Sequence, residues 1–166
     1  MKKKNKEIVD EKEEKIPDDV ILRVSHLKMY FPISTGFLRN KDLKAVDDIS
    51  FDIKRGETLG LVGESGCGKT TAGRAILHLY KPTSGRIWLN GKEIKTKQDL
   101  KEFRTKTNIV FQDPYSSLDP RKTVEDIIAE PLDIHKAYKN KEERHQKVME
   151  LMTTVGLTEE QANRYP

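Results

Sequence analysis

One loop constrains this chain more than any other stretch: Gly63-Glu64-Ser65-Gly66-Cys67-Gly68-Lys69-Thr70. It matches the pattern G-x-x-x-x-G-K-[ST] at every fixed position. Residues 58–62 before it have the pattern of a short buried strand, and residues 71–79 after it that of a helix. Glycines allow backbone N–H groups to turn inward, and a helix N-terminus carries partial positive charge. The sequence therefore predicts a phosphate-binding loop between a strand and a helix.

Two side chains of the loop have chemistry that suits a nucleotide. Lys69 would place its ammonium group on the outer phosphates, and the Thr70 hydroxyl would be a ligand of Mg²⁺ that bridges them. The alternative is a glycine-rich turn with a chance Lys-Thr pair. The strand and helix patterns on either side favour the phosphate site.

Composition excludes several other classes of protein. The chain has 166 residues, which suits one domain, and a net charge of +4 with acidic and basic residues interspersed, so no nucleic-acid partner is predicted. Its single cysteine, Cys67, excludes an intramolecular disulfide. The four histidines show no metal-ligand spacing. No apolar run is long enough to cross a bilayer, and no signal peptide is recognised.

The N-terminal part reads as a charged tail followed by antiparallel strands. Residues 1–18 are charge-dense and predicted to be disordered, so the ordered domain is expected over residues 19–166. A first strand at residues 20–24 leads to Tyr30 and Phe31, just before Pro32, which is expected to end the strand. From position alone, Tyr30 either packs in the core or stacks on a nucleotide base.

The middle of the chain contains a hairpin, a helix and a second buried strand. Asn90-Gly91 between two apolar runs is a strong hairpin signal, so the early strands are expected to be antiparallel. The strand that feeds the loop would then belong to a second, buried sheet. Residues 97–106 are predicted to be helical, and residues 108–111 to form a strand that ends at Gln112. Without the phosphate loop upstream, Gln112 would read as an ordinary loop amide.

From Thr123 onward the apolar spacing is helical. A break is expected at Pro131, and Gly156 is expected to end a later helix. Thr158 and Gln161 have the spacing of a capping box at the start of another.

The chain contains the phosphate loop, then a loop that begins at Gln112 (the glutamine loop), and then the helical segment. In this order they resemble the nucleotide-binding subunit of an ABC transporter. Within that family the chain is most similar to the F-type ATPase subunit of bacterial oligopeptide or dipeptide importers. The likeness lies in residues 27–32, 45–71, 111–121 and 127–135, and the run at 111–121, FQDPYSSLDPR, is its most specific part. The resemblance implies an α/β P-loop NTPase fold of the ABC ATPase type, with an antiparallel β subdomain, a partial parallel core sheet and the start of a helical subdomain.

The resemblance also implies roles for individual residues, with ATP and Mg²⁺ as ligands. Tyr30 would stack on adenine. Gln112 would complete the Mg²⁺ coordination begun by Thr70 and sense the γ-phosphate. The Walker A loop, which holds the phosphates, would consist of Gly63, Glu64, Ser65, Gly66, Cys67, Gly68, Lys69, Thr70 and Thr71.

The partners implied by the resemblance are those of an importer. They are a second ABC ATPase subunit in a homodimer or heterodimer, transmembrane permease subunits that face the helical part, and, indirectly, an extracytoplasmic peptide-binding protein. The expected location is the cytoplasmic face of the cell membrane. Importers of nickel or glutathione share the ATPase pattern, so the solute stays open.

Three motifs of a complete ATPase are not found: a Ser-Gly-Gly-Gln signature, an apolar strand that ends in Asp-Glu, and a switch histidine. The chain is therefore expected to be a truncated or fragmentary subunit that has no catalytic residue of its own and binds ATP without rapid hydrolysis. An unpaired apolar edge is expected beside the loop. The alternatives are a non-hydrolysing interaction module and, less favoured, a GTPase or small-molecule kinase, since Asn40-Lys41-Asp42-Leu43 misses the guanine motif Asn-Lys-x-Asp.

Overall fold

A computed structural model describes residues 16–34 and 40–166. The chain divides into two compact units, Met1–Asn108 and Ile109–Pro166. Most of the predicted disordered tail lies outside the described residues. At its end, the Val20 N–H donates a hydrogen bond to the Pro17 carbonyl at 3.0 Å, which turns the chain into the first strand.

The first unit contains a four-stranded sheet in the order β2-β1-β3-β4, in which every pairing is antiparallel. The predicted hairpin is confirmed. Asn90 and Gly91 have φ angles of 50° and 75°, and together they form the two-residue turn that joins the last two strands. The strands are β1 (Val20–Ser34), β2 (Asn40–Lys54), β3 (Ser84–Leu89) and β4 (Lys92–Glu93).

Strand β1 continues through Pro32, so the predicted end at this proline is wrong. Pro32 pairs with Asp42 of β2, whereas the pairing of β1 with β3 extends only as far as Lys28. Around Pro32, therefore, β1 has a neighbouring strand on one side only within the described residues. A proline is tolerated there, because it has no N–H to donate and no second neighbouring strand needs that hydrogen bond.

The β1–β2 ladder is irregular around Leu27. Register shifts bracket Leu27, and the left-handed residues His26 (φ 51°) and Asp48 (φ 64°) lie beside it on the two strands. His26 Nδ1 lies 2.6 Å from Asp48 Oδ1, and this hydrogen bond lowers the pKa of Asp48. The chain thus forms a β-bulge here, and Leu27 is fully buried at its centre.

The core of the first unit lies between the sheet and helix α1 (Lys69–Ile76), which lies close to β1 and β2. Helix α2 (Lys97–Lys106) matches the predicted range, begins with a capping box of Thr96 and Asp99, and buries Phe103. The buried cluster consists of Val24, Leu27, Met29, Val46, Ala72, Ala75 and Ile87.

The prediction of two buried strands, at residues 58–62 and 108–111, is wrong. Residues 58–62 and 108–111 form no strand, and the fractional exposures of Leu61, Val62 and Val110 are 53%, 91% and 88%. The described chain contains no parallel pairing, so the expected partial parallel core sheet is not formed. A buried strand needs hydrogen-bonded neighbours as well as an apolar sequence. The unpaired apolar edge expected beside the loop is not formed either, because residues 58–62 form no strand, although Leu61 and Val62 are exposed.

The second unit is helical, as predicted, with helices α3 (Val124–His135) and α4 (Lys141–Thr154). Pro131 does not break α3, because it is exposed and removes only the hydrogen bond to the Ile127 carbonyl, while the rest of the helix stays packed. The predicted capping box of Thr158 and Gln161 is confirmed. The buried cluster consists of Ala129, Val148, Met152 and Ala162.

Arg144 ties the two helices of this unit together. Its Nε and Nη2 atoms on α4 donate to the two carboxylate oxygens of Asp133 on α3, at 2.9 and 3.1 Å. The Asp133 pKa is lowered, first of all by this hydrogen bonding. Such a two-point contact fixes the orientation of one helix against the other better than a single-point pair does.

His78 in the first unit and His145 in the second are expected to make the free energy of unfolding depend on pH in opposite directions. His78 lies edge-on to Phe103, and its Nε2 is buried without a hydrogen-bond partner among the described residues. Burial, and then the charge of Arg104, lower its pKa from the ordinary 6.5. The unfolded chain therefore binds more protons, so this contribution to stability is present above pH 6.5 and lost as the pH falls toward the folded pKa.

When the pH is lowered from about 7.5 to about 5.5, we expect the free energy of unfolding to fall less in His78→Leu than in the native chain. Urea unfolding followed by far-UV circular dichroism, which reports on both units, measures this. His145→Gln is the control of opposite sign, because the hydrogen bond with Glu125 raises the His145 pKa and its contribution is lost as the pH rises. Equal pH dependence in His78→Leu and the native chain would contradict the assignment.

Candidate phosphate-binding site

The predicted loop lies against β2, and one glycine makes this contact. Gly68 has a φ of 98° and is the N-cap residue of α1. A Cβ atom built at this position would lie 2.1 Å from the Ala45 carbonyl oxygen, closer than any real contact. Only glycine satisfies both the left-handed backbone and the close approach. The loop is thereby held to the sheet at the point where the helix begins.

The Lys69 ammonium group is held at the loop. Its Nζ donates hydrogen bonds to the carbonyl oxygens of Gly63 at 2.8 Å and Glu64 at 2.6 Å, and lies 3.6 Å from Cys67 Sγ. Throughout the described part of the chain, no carboxylate forms an ion pair with Lys69. Its positive charge is therefore not neutralised and remains available to an anion.

Helix α1 adds a second source of positive potential at the same place. Its first turn contains no acidic residue, and Gly68 has no side chain that could accept a hydrogen bond from the first N–H groups. These groups and the helix dipole favour a negative ligand. Lys69 is the first residue of this helix, so the two positive features coincide.

A cleft of about 420 Å³ opens beside the loop. One part of its wall is polar and belongs to the loop and α1, and another is apolar and belongs to β1 and β2. Clefts of this size are typical of small-molecule sites. The lining residues are Phe31, Leu43, Lys44, Ala45, Gly66, Cys67, Gly68, Lys69, Thr70 and Thr71.

Six of the predicted site residues therefore lie together in the cleft, from Gly66 to Thr71. Gly63 and Glu64 contact the site through the carbonyl groups that accept from Lys69. Ser65 is exposed and does not line the cleft. The contribution of β1 and β2 was missed, since only the fold brings Leu43, Lys44 and Ala45 to the loop.

Tyr30 does not line the cleft, although its neighbour Phe31 does. Its hydroxyl donates to the Asp47 carboxylate, which raises the Tyr30 pKa. The Lys44 ammonium group lies 5.4 Å from the centre of the tyrosine ring and 3.0 Å from Asp47 Oδ2. The stacking role of Tyr30 stays a prediction.

Gln112 lies in the second unit, exposed, at the start of a turn. The turn is closed by a hydrogen bond from Ser117 Oγ to the Pro114 carbonyl at 2.6 Å. Gln112 and Thr70 belong to different units, and a joint role of the two side chains stays a prediction.

Magnesium chemistry fits the donors at the loop only in part. Within residues 16–34 and 40–166, no group of three or more His, Cys, Asp or Glu side chains is arranged to hold a metal. The exposed Thr70 hydroxyl is a suitable hard oxygen ligand, but Mg²⁺ bound with so few protein ligands takes the rest from phosphate and water. Thr70 would therefore hold Mg²⁺ together with a bound nucleotide.

The loop at residues 63–70 has the pattern G-x-x-x-x-G-K-[ST] of the P-loop class, and it leads into a helix that has the lysine at its first position. Residues 46–166 match the ABC transporter family, and the chain belongs to this family. The matched residues include the phosphate loop, Gln112 and the helical second unit. The predicted α/β fold class is therefore confirmed, although the parallel core sheet is not formed.

Two relatives are informative about the subfamily. The oligopeptide transport ATP-binding protein OppF of Bacillus subtilis is 56% identical over 149 residues, which cover 88% of this chain and 47% of the relative. The dipeptide transport ATP-binding protein DppF of Escherichia coli is 42% identical, with 88% and 44% covered. The chain thus spans about half the length of these relatives.

A solved structure, the dimeric structure of MJ0796, a bacterial ABC transporter cassette, resembles the chain with a TM-score of 0.68 and 25% identity. The match covers 88% of this chain and 62% of that one. Among the described helices, none is long and apolar enough to span a membrane.

A pair of glycine substitutions tests the geometry of the loop. We expect Gly68→Ala to weaken the binding of inorganic tripolyphosphate by about tenfold or more, since its Cβ meets the Ala45 carbonyl and displaces the loop. Gly66→Ala is the matched control, because it also has a positive φ (81°) but its Cβ would meet no atom within 4 Å. Isothermal titration calorimetry measures both affinities. Equal losses in the two variants would show that backbone strain alone decides binding.

Proposed function

We propose that this chain binds ATP, with Mg²⁺, as part of the energising subunit of an ABC peptide importer. The observation that carries the proposal is the coincidence of the unneutralised Lys69 ammonium group with the N-terminus of α1, at the polar wall of a cleft that can accommodate a nucleotide. The phosphates would accept hydrogen bonds from the ammonium group and from the first N–H groups of the helix. Thr70, and Gln112 from the second unit, would be ligands of Mg²⁺.

Transport of peptides is proposed from the subfamily. OppF and DppF carry oligopeptide and dipeptide transport in their names, and the similarity to them extends over most of this chain. The proposed partners are a second ATPase subunit and the transmembrane permease subunits, with an extracytoplasmic peptide-binding protein as an indirect partner. These partners would place the chain at the cytoplasmic face of the membrane.

The proposed role of these 166 residues is to bind ATP rather than to turn it over. Hydrolysis requires a group that orients the attacking water and a partner surface that stabilises the transferred phosphoryl group. The sequence contains neither an apolar strand that ends in Asp-Glu nor a Ser-Gly-Gly-Gln segment. The nucleotide would therefore act on this chain by binding alone.

Lys69→Ala tests the binding site. We expect it to weaken ATP binding by about tenfold to about a hundredfold, because hydrogen bonds to a charged donor contribute about 1.5–3 kcal/mol each. Lys81→Ala, which removes an exposed lysine outside the cleft, is the control and should bind ATP as the native chain does. Isothermal titration calorimetry in the presence of Mg²⁺ measures the affinities. Equal affinity in Lys69→Ala and the native chain would refute the proposed site.

Phosphate release tests the absence of turnover. At saturating ATP, we expect the native chain and Lys69→Ala to release phosphate at the same low background rate. A steady-state colorimetric assay measures it. Turnover near the 1 s⁻¹ or more typical of enzymes, lost in Lys69→Ala, would show that these residues hydrolyse ATP.

A further inference from the structure

We propose that the turn between α3 and α4 binds the anionic headgroups of a lipid bilayer. We call residues 134–141 the basic turn. It belongs to the second unit, whereas the phosphate loop belongs to the first, so nucleotide binding does not use this surface. A lipid contact goes beyond the proposed function, because it needs neither a nucleotide nor a partner protein.

Three lysines of the basic turn carry charge that the chain does not neutralise. Lys136, Lys139 and Lys141 are exposed, and no carboxylate of the described residues forms an ion pair with their ammonium groups. The three like charges lie within a stretch of six residues and repel one another. A ligand surface that carries many negative charges would relieve this repulsion.

The acidic side chains next to the turn are mostly engaged by other cations. The Asp133 carboxylate accepts the two-point contact of Arg144, and the Lys147 ammonium group lies 3.0 Å from Glu143 Oε1. Glu142, which is exposed, is the one other carboxylate in the sequence between residues 133 and 147. The surface around the basic turn is therefore net positive.

The backbone of the turn is fixed at both ends. Lys136 ends α3 with a left-handed backbone (φ 51°). Asn140 begins α4, and its side chain accepts a hydrogen bond from the Glu143 N–H at 2.9 Å, while Glu143 Oε2 accepts one from the Lys139 N–H at 2.7 Å. The lysines are thus carried on an ordered connection, so little backbone entropy would be lost when the turn meets a surface.

Ile134 adds an apolar contact to this charged surface. It lies in the last turn of α3, two residues before Lys136, and is 69% exposed. Such a side chain is removed from water when it enters the boundary between headgroups and acyl chains. Tyr138, in the same turn, has the amphipathic kind of ring that is common at this boundary. Basic and apolar side chains side by side are typical of segments that lie on a membrane surface.

The chemistry of the cations favours a lipid surface over an acidic protein. A guanidinium group suits one fixed carboxylate, because its planar fork binds two oxygens. The arginine of this region, Arg144, already binds a carboxylate inside the unit. The free cations are lysines, whose hydrated ammonium groups on flexible stems suit the diffuse charge of many headgroups. A bilayer that contains phosphatidylglycerol presents such a charge.

The test measures binding to vesicles of equimolar phosphatidylglycerol and phosphatidylcholine. A lysine near an anionic surface strengthens binding about fivefold. We therefore expect the combined substitutions Lys136→Gln, Lys139→Gln and Lys141→Gln to weaken binding by about tenfold to about a hundredfold, and Ile134→Ser to weaken it about threefold. Raising the salt concentration from about 0.05 M to about 0.5 M should release the native chain. Co-sedimentation measures the bound fraction.

Two matched controls change the same chemistry elsewhere. The combined substitutions Lys81→Gln, Lys97→Gln and Lys101→Gln remove three exposed lysines of the first unit and give the same net charge as the test variant. Val155→Ser removes a side chain that is 70% exposed at the other end of α4. Both controls should bind within about twofold of the native chain, because salt screens distant charges. Lysines near the N-terminus are unchanged in every variant.

Far-UV circular dichroism shows whether each variant is folded, and the altered side chains are exposed. Equal binding of the native chain to the anionic vesicles and to vesicles of phosphatidylcholine alone would overturn the proposed lipid contact, and so would equal losses in the two triple variants. Titration with MgATP separates this contact from the proposed function, since none of the altered residues lines the cleft. A native chain that binds anionic vesicles but not MgATP would refute the proposed function and support the lipid contact.

Discussion

The approach of Gly68 to the Ala45 carbonyl is the contact on which the site depends. It places the start of α1 against β2, and with it the Lys69 ammonium group and the first N–H groups of the helix. Behind this point, Ala72 and Ala75 bury the helix against Leu27 and Met29. The small side chains let the helix lie close to the sheet, so the positive end is fixed by the packing of the core and not by the loop alone.

Local signals in the sequence predicted the local structure well. Asn90-Gly91 specifies its own turn, Thr158 and Gln161 form the predicted capping box, and the motif at residues 63–70 leads into a helix. Each of these depends on neighbours in the chain. Pro32 and Pro131 were misjudged for the converse reason, because what a proline disturbs depends on the surroundings of the strand or helix that contains it.

The buried strands and the cleft wall depend on distant partners and could not be predicted. Residues 58–62 are apolar in sequence, yet no strand of the described chain pairs with them. The same reason explains why Leu43 and Lys44 were missed, since nothing in their sequence marks them as neighbours of a loop that begins about twenty residues later. The sequence identified the predicted phosphate-binding residues because one local motif contains them. It did not identify the apolar wall, because only the tertiary structure brings those residues together.

The two hydrogen bonds that Lys69 makes to the loop carbonyls also shape the thermodynamics of the site. A ligand that takes the ammonium group exchanges these bonds for its own, so the net enthalpy gained is smaller than the new contacts alone suggest. In return, the lysine is already ordered, and little side-chain freedom remains to be lost. The carbonyl groups of the loop thus hold the ammonium group at the place where an anion would bind it.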